Sequence, residues 1–274
     1  MDGPEGSGGR VRRMGRLGEP ADEGLLTYGE YLAVPELISL QRLRSDPPVH
    51  DELLFIVVHQ AYELWFKQLI FELESVRDRM IDGDAERARH YLTRVHAIER
   101  VLIDHIQVLE TMTPQDFLEF RSLLTPASGF QSVQFREVEF ISGLKQRGYL
   151  RDLAASPEDL GRLARRLEEP TVWDGFIALL ERDGLEMPED DEEARRASLL
   201  RMAREPERAQ LFAVAERLLD HDEGFAQWRY HHVLMVEREI GAKSGTGGSA
   251  GVEYLRSTLH KRFFPELWGL RSHL

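Results

Sequence analysis

Apolar positions recur every three to four residues along nearly all of the chain from Leu25 onward, the spacing of one face of an α-helix. Between Leu53 and Val76 the stripe reads Leu54, Val57, Val58, Ala61, Leu64, Trp65, Leu69, Leu73 and Val76. Asp51 and Glu52 suit the positive N-terminal end of this helix, and Pro47-Pro48 stop any helix upstream. Residues 53–58 are apolar all round, so this turn is expected to be buried on several sides. The pattern predicts further helices over 85–111, closed by Thr113-Pro114, and over 132–147, closed by Gly148. Amphipathic helices are expected at 156–168, 171–183, 192–220, 223–240 (stopping at Gly241) and 250–261. Alternating strand patterns are missing. The expected fold is all-α, a bundle of long helices around one core over residues 25–274. The polar stretch 150–200 reads as a small peripheral helical insertion, and 1–24 as a disordered tail with too few large apolar residues to order it.

Charge and composition narrow the chemistry. Against 35 Lys and Arg stand 48 Asp and Glu, a net charge of -13, which is repelled by phosphate backbones and argues against a nucleic-acid partner. Cysteine is absent, which removes disulfides, iron–sulfur clusters, thiolate zinc or haem ligation and any cysteine nucleophile. No apolar run is long enough to span a bilayer, and the N-terminal residues lack the apolar core of a secretory signal, so a cytoplasmic location is expected.

Two histidines stand apart from the rest. His90, His96, His105, His221, His260 and His273 have surface-type neighbours. His59 instead shares a helical stripe with Phe55, Tyr62 and Phe66, where it is either a packed core histidine or a ligand. In the segment 225–236 the helical period selects between two adjacent imidazoles. His232 falls on the apolar face with Phe225, Trp228, Met235 and Val236, whereas His231 falls on the polar side with Gln227 and Arg238. An inward His232 suits a metal or haem ligand, or a packed side chain. No His has a Glu three residues before it and HExxH is absent, which removes the di-iron and zincin patterns; a 2-His-1-carboxylate site stays open as an unspecific option. One inward His on each of two helices, with no thiolate, fits a haem better.

Three further segments carry candidate chemistry. Arg121 lies one helical turn beyond Phe117, where a guanidinium beside aromatics either clamps a carboxylate or makes a surface ion pair. Pro126-Ala127-Ser128-Gly129 is turn chemistry before a helix start. The glycine-rich stretch 241–251 follows a helix and breaks both phosphate-loop spacings, leaving a connector or a substrate-closing loop that carries Thr246 and Ser249.

Together these segments resemble the tryptophan 2,3-dioxygenase family. The matching stretches are LTYGEYL at 26–32, HDELLFIVVHQAYELWFKQLIFEL at 50–73, FLEFRSLLTPASGFQSVQFREVEF at 117–140, WRYHHVLMVEREIGAKSGTGGSAGVEYLRSTL at 228–259 and FFPELW at 263–268. The resemblance implies one haem b per chain, ferrous in the active state, with His232 as proximal iron ligand and His59 as the distal catalytic imidazole that accepts a hydrogen bond from the indole N–H. It implies Phe55 against the indole, Arg121 on the substrate carboxylate, Thr246 on its ammonium and carboxylate, and Ser128 and Gly129 over the distal haem face. Phe117 stands at a position that is Phe or Tyr among relatives. Tyr28, Tyr31 and Leu32 match a segment that completes a neighbouring subunit's site, which implies a homotetramer built as a dimer of dimers. The implied reaction inserts both atoms of O2 into the indole C2–C3 bond of L-tryptophan, giving N-formyl-L-kynurenine. A related haem dioxygenase for another indole and a non-enzymatic haem-binding protein are the alternatives. Arg121 and Thr246 speak for a free amino acid.

Overall fold

The computed structural model describes residues 26–247 and 250–274, so the tail expected at 1–24 lies outside the described residues. The chain forms two compact units, Met1–Arg42 and Leu43–Leu274. In the first, α1 (Tyr28–Tyr31) is closed by a reciprocal cap between Thr27 and Glu30, and α2 (Val34–Leu37) carries Pro35 in its first turn. Its apolar side chains Tyr28, Tyr31 and Leu32 are exposed.

The larger unit is built on two helices of 32 residues each, α3 (His50–Ile81) and, later in the chain, Ala209–Ile240. At 1.5 Å per residue each is roughly 48 Å long. Between them come α4 (Ala85–Leu109), α5 (Pro114–Arg121), α6 (Val133–Ile141), α7 (Tyr149–Asp152), α8 (Pro157–Glu168), α9 (Val172–Arg182) and α10 (Glu192–Arg204), so Ala209–Ile240 is α11. Two short helices follow, α12 (Val252–Arg256) and α13 (Pro265–Leu270). Among the described residues there is no strand.

Local chemistry sets the boundaries. Gly83, at φ +87°, turns the chain between α3 and α4, and the Asp84 side chain caps α4 by accepting from the Arg87 N–H at 2.9 Å. Thr113 with Asp116 and Thr171 with Asp174 form reciprocal caps at the starts of α5 and α9. The buried Glu52 carboxylate holds the approach to α3, accepting from the backbone N–H groups of Arg44 at 2.6 Å and Ser45 at 3.0 Å.

Leu69, Leu73, Val76 and Met80 of α3 interlock with Leu92, Val95 and Leu102 of α4 and with Val214, Leu218 and Phe225 of α11 to form the main core. This departs from the sequence expectation in four places. The segment 150–200 is not simply peripheral: Val172, Phe176, Leu179 and Leu180 of α9 and Leu199 and Met202 of α10 lie in that same core. Its high average polarity belongs to the outward faces and conceals a continuous apolar stripe. The break near residue 222 is absent, because α10 ends before Pro206 and α11 runs unbroken through Gly224. A Cβ there would sit 2.9 Å from Glu99 Oε2, so this glycine permits close helix approach and does not end a helix. The helices expected at 132–147 and 250–261 are shorter, at Val133–Ile141 and Val252–Arg256. Finally, Leu53 and Val57 of the all-apolar turn are about half exposed within this chain.

His221, expected at the surface, is fully buried between α4, α6 and α11. Its Nδ1 lies 2.6 Å from Glu99 Oε1, and its Nε2 lies 2.9 Å from Ser142 Oγ. The order Ser–His–Glu resembles a nucleophile relay, but all three groups are sealed in the core and none lines a cavity, so the arrangement is structural. Burial pushes Glu99 well above the carboxylate range and His221 down to about 4, so the folded pair shares a single proton and no net charge. His96, Asp220, Asp222 and Arg229 are the charged neighbours. Asp222 is itself occupied, its Oδ2 accepting from the N–H groups of Phe263 at 2.8 Å, Phe264 at 3.0 Å and the Trp268 indole at 2.9 Å.

A pH signature follows. Between about pH 4.5 and 6.5 the unfolded pair, Glu⁻ with HisH⁺, also carries one proton, so the pair's contribution is flat. Below that window the unfolded chain binds the extra proton, and stability falls as pH falls. Above it the unfolded chain loses a proton that the folded pair keeps, and stability falls as pH rises, by at most about 1.4 kcal/mol per pH unit. Glu99→Gln should keep the acid-side decline and abolish the pair's alkaline-side decline in urea unfolding curves across pH 4 to 9. A difference from the parent that stays constant above pH 6.5 would refute the shared proton.

Candidate active site

The second apolar cluster, Val58, Ile106, Leu109, Met112, Phe117 and Phe120 with Met235 and Ile240, does not close on itself. It borders a cavity of about 270 Å³ lined from α3, α4, α5, α6, α11 and α12 and by the turns at 128–129 and 245–246. Its long walls come from the two main helices, each continuing the stripe that packs the core. Phe55, His59, Tyr62 and Phe66 line it from α3, and Trp228, His232, Val233 and Val236 line it from α11.

The two imidazoles are held differently. His59 Nδ1 lies 2.7 Å from the Phe55 carbonyl one turn earlier, so Nδ1–H donates and Nε2 is left as an acceptor. Burial pushes its pKa below the ordinary histidine value, with the Phe55 carbonyl and Glu63 opposing, so the ring is neutral at pH 7. The Phe55 ring lies 4.1 Å from the His59 ring and stacks on Phe117 at 5.8 Å. Among the described residues nothing hydrogen-bonds the His232 ring; the Trp228 indole lies parallel to it, 9° between planes and 5.0 Å between centroids. Burial, and then the positive charge that His59 would carry, push His232 down to about 4. His231 is exposed, as the helical period indicated.

Around these rings lie polar groups that sequence reasoning foresaw only in part. Arg121 donates from Nη2 to the Ser244 carbonyl, and its buried Nε makes no hydrogen bond. The Thr246 hydroxyl donates to the Ala127 carbonyl at 2.6 Å, which fastens the glycine-rich loop to the 126–129 turn. Ser128 Oγ caps the short turn 129–131 by accepting from the Phe130 N–H at 3.3 Å. Thus Phe55, His59, Phe117, Arg121, Ser128, Gly129, His232 and Thr246 all converge on one cavity. Tyr28, Tyr31 and Leu32 belong to the smaller unit, where the two tyrosines are more than 70% exposed.

Sequence analysis missed the charged floor of the pocket. Arg136, Glu139 and Arg229 line it and are at least 95% buried. Glu139 bridges the two guanidiniums, at 2.6 Å to Arg136 Nη1 and 3.0 Å to Arg229 Nη2. Arg136 also lies over the rings of Phe130, Phe135 and Tyr149, while burial lowers the Arg229 pKa. Two guanidiniums against one carboxylate leave a buried positive excess facing the cavity. The signal was present: Arg229 falls on the same helical face as Phe225 and His232, where a charged residue is out of place. Glu239, seven residues beyond His232, is also buried on the lining, with neither oxygen hydrogen-bonded. Burial first, and then Glu110 and Asp116, push its carboxyl up.

A helical bundle whose two longest members each present one imidazole to an apolar cavity, with guanidiniums around it, defines a class: a helical protein with a ligand pocket between its longest helices. Comparison with known proteins makes it particular. The family profile described as tryptophan 2,3-dioxygenase matches residues 17–193 and 191–274. A tryptophan 2,3-dioxygenase of Nocardioides sp. is 56% identical over 255 residues, covering 91% of this chain and 95% of the relative. Those of Herpetosiphon aurantiacus and Caulobacter vibrioides are 45% and 44% identical, each covering 91% of this chain and 98% of the relative. The chain belongs to the tryptophan 2,3-dioxygenase family.

The loop over this pocket is built around a residue that must be glycine. Gly251 has φ +61°, and a Cβ there would meet the Lys243 carbonyl oxygen at 2.6 Å. Gly251→Ala should strain the loop by roughly 1–3 kcal/mol and release it from the 126–129 turn. Limited proteolysis should then cleave faster within 241–251; an unchanged cleavage rate would show that the loop absorbs the side chain.

Proposed function

We propose that this cavity holds one haem b and L-tryptophan together, and that the protein catalyses the first step of the kynurenine pathway, L-tryptophan plus O2 giving N-formyl-L-kynurenine. Family membership supports the reaction and the haem cofactor. The observation that carries the residue assignment is the convergence of His59, His232 and Arg121 on one cavity.

The donor set fits the cofactor. No group of three or more potential metal-ligating side chains assembles among the described residues, so a bare ion coordinated by two His and a carboxylate is not supported. A single imidazole suffices for a metal that arrives in a porphyrin, because the macrocycle supplies four donors itself, and His232 is the residue in that position. The porphyrin carboxylates would find the guanidiniums of Arg136 and Arg229 and the unpaired donor Arg136 Nε.

Bound haem supplies the site of dioxygen activation; placement is the work of the chain. The Arg121 guanidinium takes the substrate carboxylate through the donors that Ser244 leaves open, and Thr246 takes the ammonium end. Phe55 and Phe117 form an aromatic wall for the indole, and Phe117 has no hydroxyl to add to the carboxylate contact. His59 Nε2 accepts the indole N–H. A neutral imidazole with a lowered pKa is far too weak to deprotonate an indole, so His59 orients the ring and does not ionise it. Ser128 and Gly129 line the cavity and would lie against the cofactor. Fixing both partners before reaction can account for about 7–11 kcal/mol of barrier reduction in favourable cases.

The same reading makes the protein a cytoplasmic homotetramer, a dimer of dimers in which Tyr28, Tyr31 and Leu32 complete a neighbour's site. Supporting it, α3 exposes Leu53, Val57, Leu64 and Phe71, spaced by four, seven and seven residues along one outward face. No helix of the described residues is long and apolar enough to cross a membrane.

The test is formation of N-formylkynurenine from L-tryptophan in air by haem-loaded, reduced protein. His232→Ala should lose stable haem. Arg121→Ala should raise KM about 10- to 100-fold with little change in kcat, because the carboxylate contact is present in ground and transition states alike. His59→Ala should retain measurable turnover. A fall in kcat alone for Arg121→Ala, or a normal Soret band in His232→Ala, would overturn the corresponding role. Light scattering should give four times the 31.6 kDa chain mass, and Leu64→Glu with Phe71→Glu should reduce it.

A further inference from the structure

The His232 ring is held by a different kind of contact from the His59 ring. An iron-binding imidazole usually donates its second N–H to a carboxylate, a carbonyl or water, and that bond fixes both tautomer and ring plane. The His59 ring has such a bond, to the carbonyl one turn earlier. The His232 ring has no hydrogen bond to a described protein group, and rotation about its Cβ–Cγ bond is intrinsically soft. What touches the ring face is the Trp228 indole, near-parallel at 9° and 5.0 Å.

The indole is itself clamped. Phe135 lies 5.2 Å away, Phe225 5.9 Å, and Tyr62 meets it edge-on at 6.2 Å. Tyr62 is in turn fixed by its hydroxyl donating to the Leu102 carbonyl at 2.7 Å. The plane of the His232 ring is thereby tied, through Trp228, to α3, α4 and α6. A sideways turn of the imidazole would have to displace an indole held between rings of α3 and α6.

We propose that Trp228 is a positioning residue for the iron-binding imidazole, setting the plane of the His232 ring by face-to-face stacking. This rests on His232 being the haem ligand. It goes beyond that reading by naming what orients the ligand.

The test uses haem-loaded protein with Trp228→Phe, which keeps a stacking face, and Trp228→Leu, which keeps bulk without one. Far-UV circular dichroism checks the fold, and Trp228→Met replaces the leucine variant if that variant does not fold. The readouts are the iron–histidine stretching band of the ferrous protein in resonance Raman and the rate of haem loss to an excess of apomyoglobin. Trp228→Phe should keep a single band at the parent frequency. The unstacked variant should broaden or split the band as the ring samples several planes, and should lose haem roughly three- to tenfold faster. An unstacked variant with the parent band width and position overturns the proposal. His232→Ala separates this from failure of the ligand assignment. If it retains the parent iron–histidine band, the assignment itself is wrong; if it loses the band while the unstacked variant keeps it, only the stacking role is.

Discussion

Both the core and the site depend on one constraint: they occupy the same stripe of the same two helices. On α3 the face that carries Leu69, Leu73 and Val76 into the core is the face that, about two to four turns earlier, carries Tyr62, His59 and Phe55 to the cavity. On α11 the stripe of Val214, Leu218 and Phe225 leads without a break to Trp228 and His232. The packing of α3 and α11 against α4 therefore sets the separation and mutual orientation of the two imidazoles. A one-residue slip in either helix would turn its histidine by roughly 100° and remove it from the cavity. Stability and site geometry are one property here, and neither can be altered at the helix interfaces without the other.

That coupling also explains what was legible in the sequence. A period of 3.6 residues reports which side of a helix is apolar, and this sufficed to choose His232 over His231 and to place His59 among aromatics. It fails where a polar residue is buried by pairing with another polar residue distant in sequence. His221 reads as a surface histidine because its partners, Glu99 and Ser142, lie 122 and 79 residues away. Glu139 escapes for the same reason, since its partner Arg229 is 90 residues away, while Arg229 itself was marked by its place on the apolar face of α11. Gly224 misleads in a different way: a missing side chain reads locally as a helix stop, while here it admits the Glu99 side chain of a neighbouring helix. Composition averaged over 150–200 hid the inward face of α9 and α10, since a narrow buried stripe is outnumbered by the charges beside it.

The cavity concentrates groups that are costly to bury. Arg121, Arg136, Trp228 and Glu239 on its lining each leave a buried polar atom without a protein partner; away from it only Glu99, His105 and Asp222 do so among the described residues. An unmet buried donor or acceptor costs on the order of 1–3 kcal/mol, more when charged. The donors among them suit the carboxylates of a substrate and of a porphyrin. Ligand binding is thereby part of what completes the interior, and the loaded protein should be more robust than the bare chain.

Arg121 also ties two events that would otherwise be independent. A guanidinium offers five N–H donors, and this one uses a donor of Nη2 on the Ser244 carbonyl of the glycine-rich loop while its Nε goes unmatched. A carboxylate that engages the remaining donors immobilises the planar fork, and with it the carbonyl already bonded to the other side. Loop order and ligand occupancy are then thermodynamically linked. Whatever steadies the carbonyl of Ser244 would then sharpen affinity for a carboxylate at Arg121, and such a carboxylate would steady Ser244 by the same factor.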